Sequence, residues 1–185
     1  ALQEISIWRG YWNSIVYTVL FTGLGLALIL PAAYGLQQSD LLWQKPIMAL
    51  FMFTMFFGGG VIPSYLLIRN LKLLDTLWAL VLPGAVSVYN MIVARTFFSN
   101  TIPAEVQESA RIDGCGDFMT FIRIVLPLSK AIVAVLALWY AVGMWNSYFS
   151  ALIYIRDASK YPLQMVLREI LFRNQQLANV LDGDP

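Results

Sequence analysis

The chain has 185 residues, of which 59% are hydrophobic and only 12% are charged, and its net charge is +1 at pH 7. Soluble domains are about 45–50% apolar even with glycine counted, and about 25% charged. This composition therefore excludes a soluble globular enzyme and a disordered chain. The sequence lacks histidine, has one cysteine (Cys115), and has no GxxxxGK[ST] phosphate-binding loop. We therefore expect no His-dependent catalytic triad, no metal site and no ATP hydrolysis by this chain.

Charge-free runs indicate how the chain is organised. Each run reaches the roughly 20 residues that an α-helix needs to cross about 30 Å of hydrocarbon. The runs lack the alternation of barrel strands, and helices satisfy their backbone groups within one segment. We predict an all-α polytopic bundle forming a single domain over 1–185, with spans at about 10–39, 46–68, 76–94 and 131–155.

Three consecutive glycines interrupt the second predicted span. Gly58, Gly59 and Gly60 are followed by Pro63, and this combination weakens a helix. Broken helices in membranes occur where they line a cavity or are buried in protein. The glycines therefore predict either a flexible wall of a translocation cavity or close packing through small residues.

The longest polar interruption between two spans is 95–130, which reads as two short helices. Thr101 is the predicted cap of the first helix, Pro103 suits its first turn, and Gly114 is its stop. Asp117 is the predicted cap of the second helix, which should end at Leu126-Pro127. Its apolar stripe at helical spacing comprises Phe118, Phe121, Ile122 and Val125. From pattern alone, a loop that merely packs on helix ends is an equal alternative.

The residues of this segment carry a resemblance. Residues 108–114 (ESARIDG) and 124–127 (IVLP) are similar to the EAA loop of bacterial ABC importer permeases, whose pattern is E-A-A, three residues, G, nine residues, I, one residue, L-P. Ser109 replaces the second consensus residue, and Cys115 stands where a small Ala is usual. Residues 53–63, 77–85 and 161–164 resemble the carbohydrate-uptake branch, similar to the smaller maltose permease subunit and serving complex oligosaccharides.

The resemblance implies an architecture that is larger than the chain. Family members typically have six spans, so four spans imply that the first and last helices are missing and that this is a fragment. The family places the EAA loop in the cytoplasm, hence a cytoplasmic coupling segment at 95–130 and an extracytoplasmic segment at 156–185. The distribution of Lys and Arg alone mildly favours the opposite orientation.

The resemblance also implies a function. The chain would be the permease subunit of an ATP-driven importer for carbohydrate in the bacterial cytoplasmic membrane, non-catalytic and without a bound cofactor. Its implied partners are a second permease, two ATPase subunits carrying ATP and Mg, an extracytoplasmic solute-binding protein, an oligosaccharide and the lipid bilayer, but no nucleic acid. The alternatives are an ABC permease for amino acids or peptides, a secondary transporter or channel, and an intramembrane enzyme.

The coupling residues follow from the matched motif. The Glu108 carboxylate can pair with an ATPase arginine, and a glycine at 114 admits close backbone approach. The alternative for Glu108 is an exposed i,i+3 partner of Arg111. The predicted coupling set is Glu105, Glu108, Ser109, Ala110, Asp113, Gly114 and Cys115.

The predicted spans hold no charge, which favours a neutral substrate path. Sugars offer hydroxyls for hydrogen bonds and C–H faces for contact with aromatic rings. The candidate path residues are Gly59, Tyr89, Asn90, Trp145, Asn146 and Tyr148. The alternative for the aromatic residues is packing or an interfacial belt, and Asn146 can equally bond between helices.

Both flanks of the predicted bundle suit a membrane surface. Trp8, Tyr11 and Trp12 are typical of an interfacial aromatic belt. The segment 156–185 contains an amphipathic stripe comprising Leu163, Val166, Leu167, Ile170 and Leu171. In the family this segment faces the solute-binding protein; the alternative is an interfacial helix on lipid.

Overall fold

The computed structural model describes residues 2–38 and 41–181, and within these ranges it is helical with no strand. The predicted all-α class is confirmed. A π-helical turn (Phe121–Val125) and a 3-10 turn (Ala158–Lys160) supplement the α-helices. The helices are α1 (Leu2–Gly35), α2 (Gln44–Phe56), α3 (Val61–Asn70), α4 (Trp78–Val81), α5 (Val88–Thr101), α6 (Ala104–Ile112), α7 (Asp117–Thr120), α8 (Leu126–Leu128), α9 (Lys130–Trp145), α10 (Phe149–Tyr154) and α11 (Leu163–Leu181).

Membrane-spanning character is clearest in α1. By length and apolarity, Ser6–Gly35 is one helix that can cross a membrane, and up to three spans result if two interrupted helix pairs each count as one. These pairs are α2 with α3, and Asp117–Leu128 with α9. The transmembrane topology of the four predicted runs stays a prediction.

Besides the second predicted span, two further predicted spans are not single helices. Within 76–94, α4 ends at Val81 and α5 begins at Val88. Pro83 lacks an amide donor and is followed by Gly84, so the helix does not continue through them. Within 131–155, α9 ends at Trp145 and α10 begins at Phe149. Apolarity over 20 residues therefore did not guarantee helical continuity.

The second predicted span breaks at its glycines, as their weakening of the helix predicts. Helix α2 ends at Phe56, and α3 begins at Val61. Gly60 stands between them with φ +81°. Only glycine adopts this region without steric cost, so the break is built into the sequence.

Contacts sort the chain into two compact units. The first unit comprises 1–21, 60–83 and 141–185, and the second comprises 22–59 and 84–140. The first is centred on an apolar cluster that includes Tyr17, Ile68, Leu80, Ala151 and Tyr154. The second buries Ile29, Met91, Phe98, Val125 and Leu136 almost completely. The single-domain organisation stays a prediction.

Candidate functional site

The coupling segment, residues 95–130, belongs to the second unit, and its first short helix is α6. Pro103 is the N-terminal flanking residue with ψ 142°, whereas Thr101 is the last residue of α5. The prediction of Thr101 as the cap is therefore wrong, because α5 extends to it. Glu105 lies in the first turn of α6 and Arg111 in the last, and both charges complement the helix dipole.

One face of α6 is fixed and the other is exposed. Ala110 is buried, whereas Glu105, Glu108 and Ser109 are exposed. The Ser109 hydroxyl donates to the Glu105 carbonyl oxygen at 2.8 Å. In the part of the chain that the structure describes, the Glu108 carboxylate has no hydrogen-bond or ion-pair partner. This carboxylate is therefore presented outward.

Arg111 connects α6 to its surroundings instead of pairing only along the helix. Its guanidinium lies 3.4 Å from the Asp117 carboxylate and 3.2 Å from the Gln38 amide oxygen. The Gln38 side-chain amide in turn donates to the Gln107 side-chain oxygen at 3.1 Å. The alternative of an i,i+3 pair with Glu108 is thus not the arrangement formed. These contacts fix α6 against α7 and the end of α1.

The turn after α6 depends on the backbone of Gly114. Gly114 has φ +77°, and the following amide of Cys115 donates to the Ala110 carbonyl at 2.8 Å. This is the left-handed helix ending that glycine favours. A Cβ added at Gly114 would meet no atom within 4 Å. Conformation, and not close approach within this chain, therefore requires glycine here.

Large apolar side chains at both edges of the turn point outward. Ile112 is 86% exposed and Phe118 is 70% exposed. Beside them is a groove of about 490 Å³ lined by residues that include Asp113, Gly114, Cys115 and Met119. Exposed apolar groups rimmed by polar ones are typical of a protein-binding surface. Ile112 was not among the predicted site residues. An apolar side chain on the exposed side of a short polar helix could have indicated it.

The second helix of the segment differs from its predicted form. Gly116 is the flanking residue and Asp117 the first helical one, and the helical path continues past Pro127 to Leu128. Phe121 and Val125 are buried, but Phe118 and Ile122 are exposed. The π turn between α7 and α8 adds a residue to the period, so the predicted stripe divides between two faces.

Three of the candidate path residues lie in the first unit, where α9 ends. Asn146 and Tyr148 are exposed and Trp145 is half-buried. The Asn146 side-chain amide donates to the Val142 carbonyl at 2.9 Å, which satisfies a carbonyl at the helix end. The Trp145 ring meets the Tyr11 ring edge-on, with centroids 5.6 Å apart. Asn146 therefore bonds within its own helix and not to another one.

The other candidate path residues lie in the second unit. Gly59 is exposed in the break after α2. Tyr89 is 53% exposed and its ring lies 5.9 Å from that of Trp139. Asn90 is buried, and its backbone amide donates to the Ser87 hydroxyl, which caps α5. The six candidates are thus divided equally between the two units, three in each.

The first unit contains a polar cluster that the sequence patterns did not predict. We name it the Asp75 clasp: Asp75, Arg156, Asp157 and Lys160. The Asp75 carboxylate accepts from the backbone amides of Arg156 and Asp157, each at 3.1 Å. The Lys160 ammonium lies 2.9 Å from this carboxylate. The clasp joins the turn after α3 to the chain after α10.

These contacts set the charge states of the clasp. The backbone amide of Asp157, then Lys160 and the amide of Arg156, lower the pKa of Asp75. Hydrogen bonds from Ser159 lower the pKa of Asp157. The hydrogen bond to Asp75 raises the pKa of Lys160. Each shift favours the charged form, as hydrogen bonding to that form requires.

Polar groups of α1 hold the same loop from another side. The Asn13 side-chain amide donates to the carbonyls of Ser159 and Tyr161 at 2.9 and 3.1 Å. The Tyr17 hydroxyl donates to the Lys160 carbonyl at 2.9 Å. In the sequence, only the position of the polar Asn13 near the start of an apolar run could have indicated these contacts.

In the second unit, Tyr140 bridges the irregular stretch before α5. Its hydroxyl donates to the Ala85 carbonyl at 3.0 Å and accepts from the Ser87 amide at 3.1 Å. A Cβ added at Gly25 would lie 2.8 Å from the Tyr140 ring. Gly25 therefore makes room for the ring that satisfies the interrupted backbone.

Sequence comparison connects this geometry with a family. The model of the binding-protein-dependent transport system inner membrane component matches residues 5–174. The polygalacturonan/rhamnogalacturonan transport system permease protein YtcP of Bacillus subtilis is 44% identical over 165 residues, or 89% of this chain and 57% of YtcP. Protein LplC of the same organism is 47% identical over 162 residues, or 88% of this chain and 55% of LplC. The chain spans little more than half the length of these relatives.

A solved structure has the same fold. It is described as a bacterial ABC transporter involved in the import of the acidic polysaccharide alginate. The match has a TM-score of 0.86 and 34% sequence identity, and covers 89% of this chain and 58% of that one. At this identity, the likeness extends beyond the fold class to the family.

Proposed function

The chain belongs to the family of binding-protein-dependent transport system inner membrane components, and from this membership we propose that it is a non-catalytic permease subunit of an ATP-driven oligosaccharide importer. The printed names of its relatives support a sugar polymer as the source of the substrate. The predicted spans contain no charged residue, which supports a path for solutes and not a proton relay.

The coupling segment is the part of this chain that transmits ATPase closure. The observation that carries this proposal is the outward Glu108 carboxylate beside the exposed Ile112 side chain. A carboxylate and an apolar anchor are complementary to a groove that presents an arginine. Arg111 and Gly114 fix the conformation of the segment. A displacement of the segment by the ATPase is therefore transmitted to the packed helices of the second unit.

The remaining components follow from this role. The permease pairs with a second permease, two ATPase subunits and an extracytoplasmic binding protein in the bacterial cytoplasmic membrane, which it crosses several times. ATP and Mg reside on the ATPase subunits, and this chain binds no cofactor. In this arrangement 95–130 faces the cytoplasm and 156–185 faces outward.

The substrate path uses the two groups of candidates. At the end of α9, the exposed Asn146 and Tyr148 offer an amide and an aromatic face to a sugar. In the second unit, Tyr89 offers a second exposed ring, while the buried Asn90 supports the helix start. Gly59 lies in a break that supplies a flexible wall.

Uptake by the reconstituted transporter tests the proposed function. The full-length complex in proteoliposomes should accumulate a labelled oligosaccharide only when ATP is enclosed with the ATPase subunits. Accumulation driven by an ion gradient without ATP would favour a secondary transporter. ATP-dependent uptake of amino acids or peptides, but not of oligosaccharides, would overturn the substrate class.

A further inference from the structure

An arginine in the first unit is held by aromatic rings instead of by a carboxylate. The Arg168 guanidinium carbon lies 5.6 Å from the centre of the Tyr148 ring and 5.9 Å from that of the Phe172 ring. Tyr148 and Phe172 are 44% and 56% exposed. Within the described ranges, no acidic side chain forms an ion pair with Arg168.

A neighbouring arginine on the same helix shows the ordinary arrangement. Arg173 of α11 lies 3.6 Å from the Glu169 carboxylate, one turn away. Such an exposed pair neutralises both charges and contributes little to stability. Arg168 is one residue before Glu169, yet its contacts are with rings. The two arginines therefore differ in what their guanidinium groups contact: rings at Arg168 and a carboxylate at Arg173.

Ring contacts leave the hydrogen-bonding capacity of an arginine intact. A guanidinium that stacks on aromatic faces uses its own faces, and its N–H donors lie in its plane. That fork matches a carboxylate with two parallel hydrogen bonds. The flanking rings also restrict the side chain, so less conformational entropy is lost on binding.

We infer that Arg168, positioned by Tyr148 and Phe172, binds a carboxylate of a uronic-acid-containing oligosaccharide on its way through the transporter. This rests on the proposed function and names the substrate class within it. The charge is complementary to an acidic sugar, and the exposed Tyr148 face beside it can contact the C–H face of the same residue. A phosphate of an anionic lipid is the competing ligand that the experiment must exclude.

Equilibrium binding to the full-length complex tests the inference. The complex is placed in nanodiscs of neutral lipid without the binding protein, and titrated with tri-galacturonate and with its neutral, carboxyl-reduced counterpart. Arg168→Gln should weaken binding of tri-galacturonate about five- to tenfold, which is the size of a partly exposed charge-assisted contact. Binding of the neutral trisaccharide should not change. Arg168→Lys should recover part of the loss, and the control Arg173→Gln should match the wild type.

The outcomes separate the inference from its premise. Equal weakening for both trisaccharides, or none for either, overturns the role of Arg168. So does a loss that appears only when anionic lipid is present, because Arg168 would then bind a lipid headgroup. ATP-dependent uptake by the wild type and by Arg168→Gln is measured in parallel. Equal uptake of tri-galacturonate by both overturns the inference alone, whereas failure of the wild type to take up either sugar overturns the proposed function with it.

Discussion

The coupling segment and the Asp75 clasp differ in how much of their structure depends on distant residues. In the coupling segment, local contacts shape α6 and its turn, because Ser109 bonds to Glu105 and Arg111 reaches Asp117 six residues on. Contacts of Arg111 and Gln107 with Gln38, 73 and 69 residues away, hold only one side of the helix. In the clasp, Asp75 bonds to Asp157 across 82 residues and to Lys160 across 85. Local contacts leave one face of a segment available to an external partner, whereas long-range contacts bind parts of one chain to each other. The coupling segment therefore presents a surface to another protein, whereas the Asp75 clasp stabilises the first unit.

The largest effect is expected where the coupling segment depends on one backbone angle. Gly114→Val places a β-branched residue at φ +77°, which costs roughly 1–2 kcal/mol and shifts the local conformation about five- to thirtyfold. Sugar uptake per ATP hydrolysed should fall by a comparable factor. Gly116→Val is the matched control, because Gly116 has φ −71° and open space around it. Equal uptake in the two variants would show that the turn does not matter.

The next effect, at Gly25, is expected on stability and not on coupling. The added methyl of Gly25→Ala would lie 2.8 Å from a Tyr140 ring that two backbone bonds hold in place. Overpacking of this kind costs about 1–3 kcal/mol, so the melting temperature in detergent should fall by several degrees. Gly23→Ala on the same helix meets no atom within 4 Å and should not lower it. Identical melting curves for the two variants would show that the space for the Tyr140 ring at Gly25 does not contribute to stability.

The smallest effect is expected from the clasp, and it should depend on pH. Because the folded-state pKa of Asp75 is lowered, its contribution to stability is present above the usual carboxyl pKa of about 3.9 and is lost as pH falls through the folded value. Asp75→Asn should therefore lower the melting temperature at pH 7 and flatten its decline below about pH 4. Lys160→Gln should flatten this decline less, because the Asp157 amide lowers the pKa of Asp75 more than Lys160 does. A variant profile parallel to the wild type would contradict this.

The same contrast explains what the sequence could predict. Glu105, Glu108 and Gly114 lie within a stretch of ten residues, so local helix signals predicted a short helix and its turn, with a packed loop as the alternative, and the resemblance to the EAA loop supplied their coupling role. The break at Gly58–Gly60 was predictable because glycine acts on its own backbone. The helical class followed from apolar runs of sufficient length.

What could not be predicted depends on contacts between distant residues. Nothing near Asp75 indicates that it will accept the amides of Arg156 and Asp157. Pro83-Gly84 was visible, but the Tyr140 hydroxyl that satisfies the resulting break lies far along the chain. The division of the path candidates into two groups likewise depends on tertiary contacts. The side on which Phe118 emerges depends on a π turn that hydrophobic periodicity does not encode.

Charge reversal in the complete transporter tests whether α6 transmits ATPase closure through Glu108. Uptake and ATP hydrolysis are measured together in proteoliposomes containing Glu108→Lys, with Glu169→Lys as the control for an exposed carboxylate of the first unit. We expect normal insertion of both variants. Uptake should be at least about tenfold lower for Glu108→Lys, as loss of a charge-assisted interprotein contact implies, and should equal that of the wild type for Glu169→Lys. Wild-type uptake and sugar-stimulated hydrolysis in Glu108→Lys would contradict this expectation.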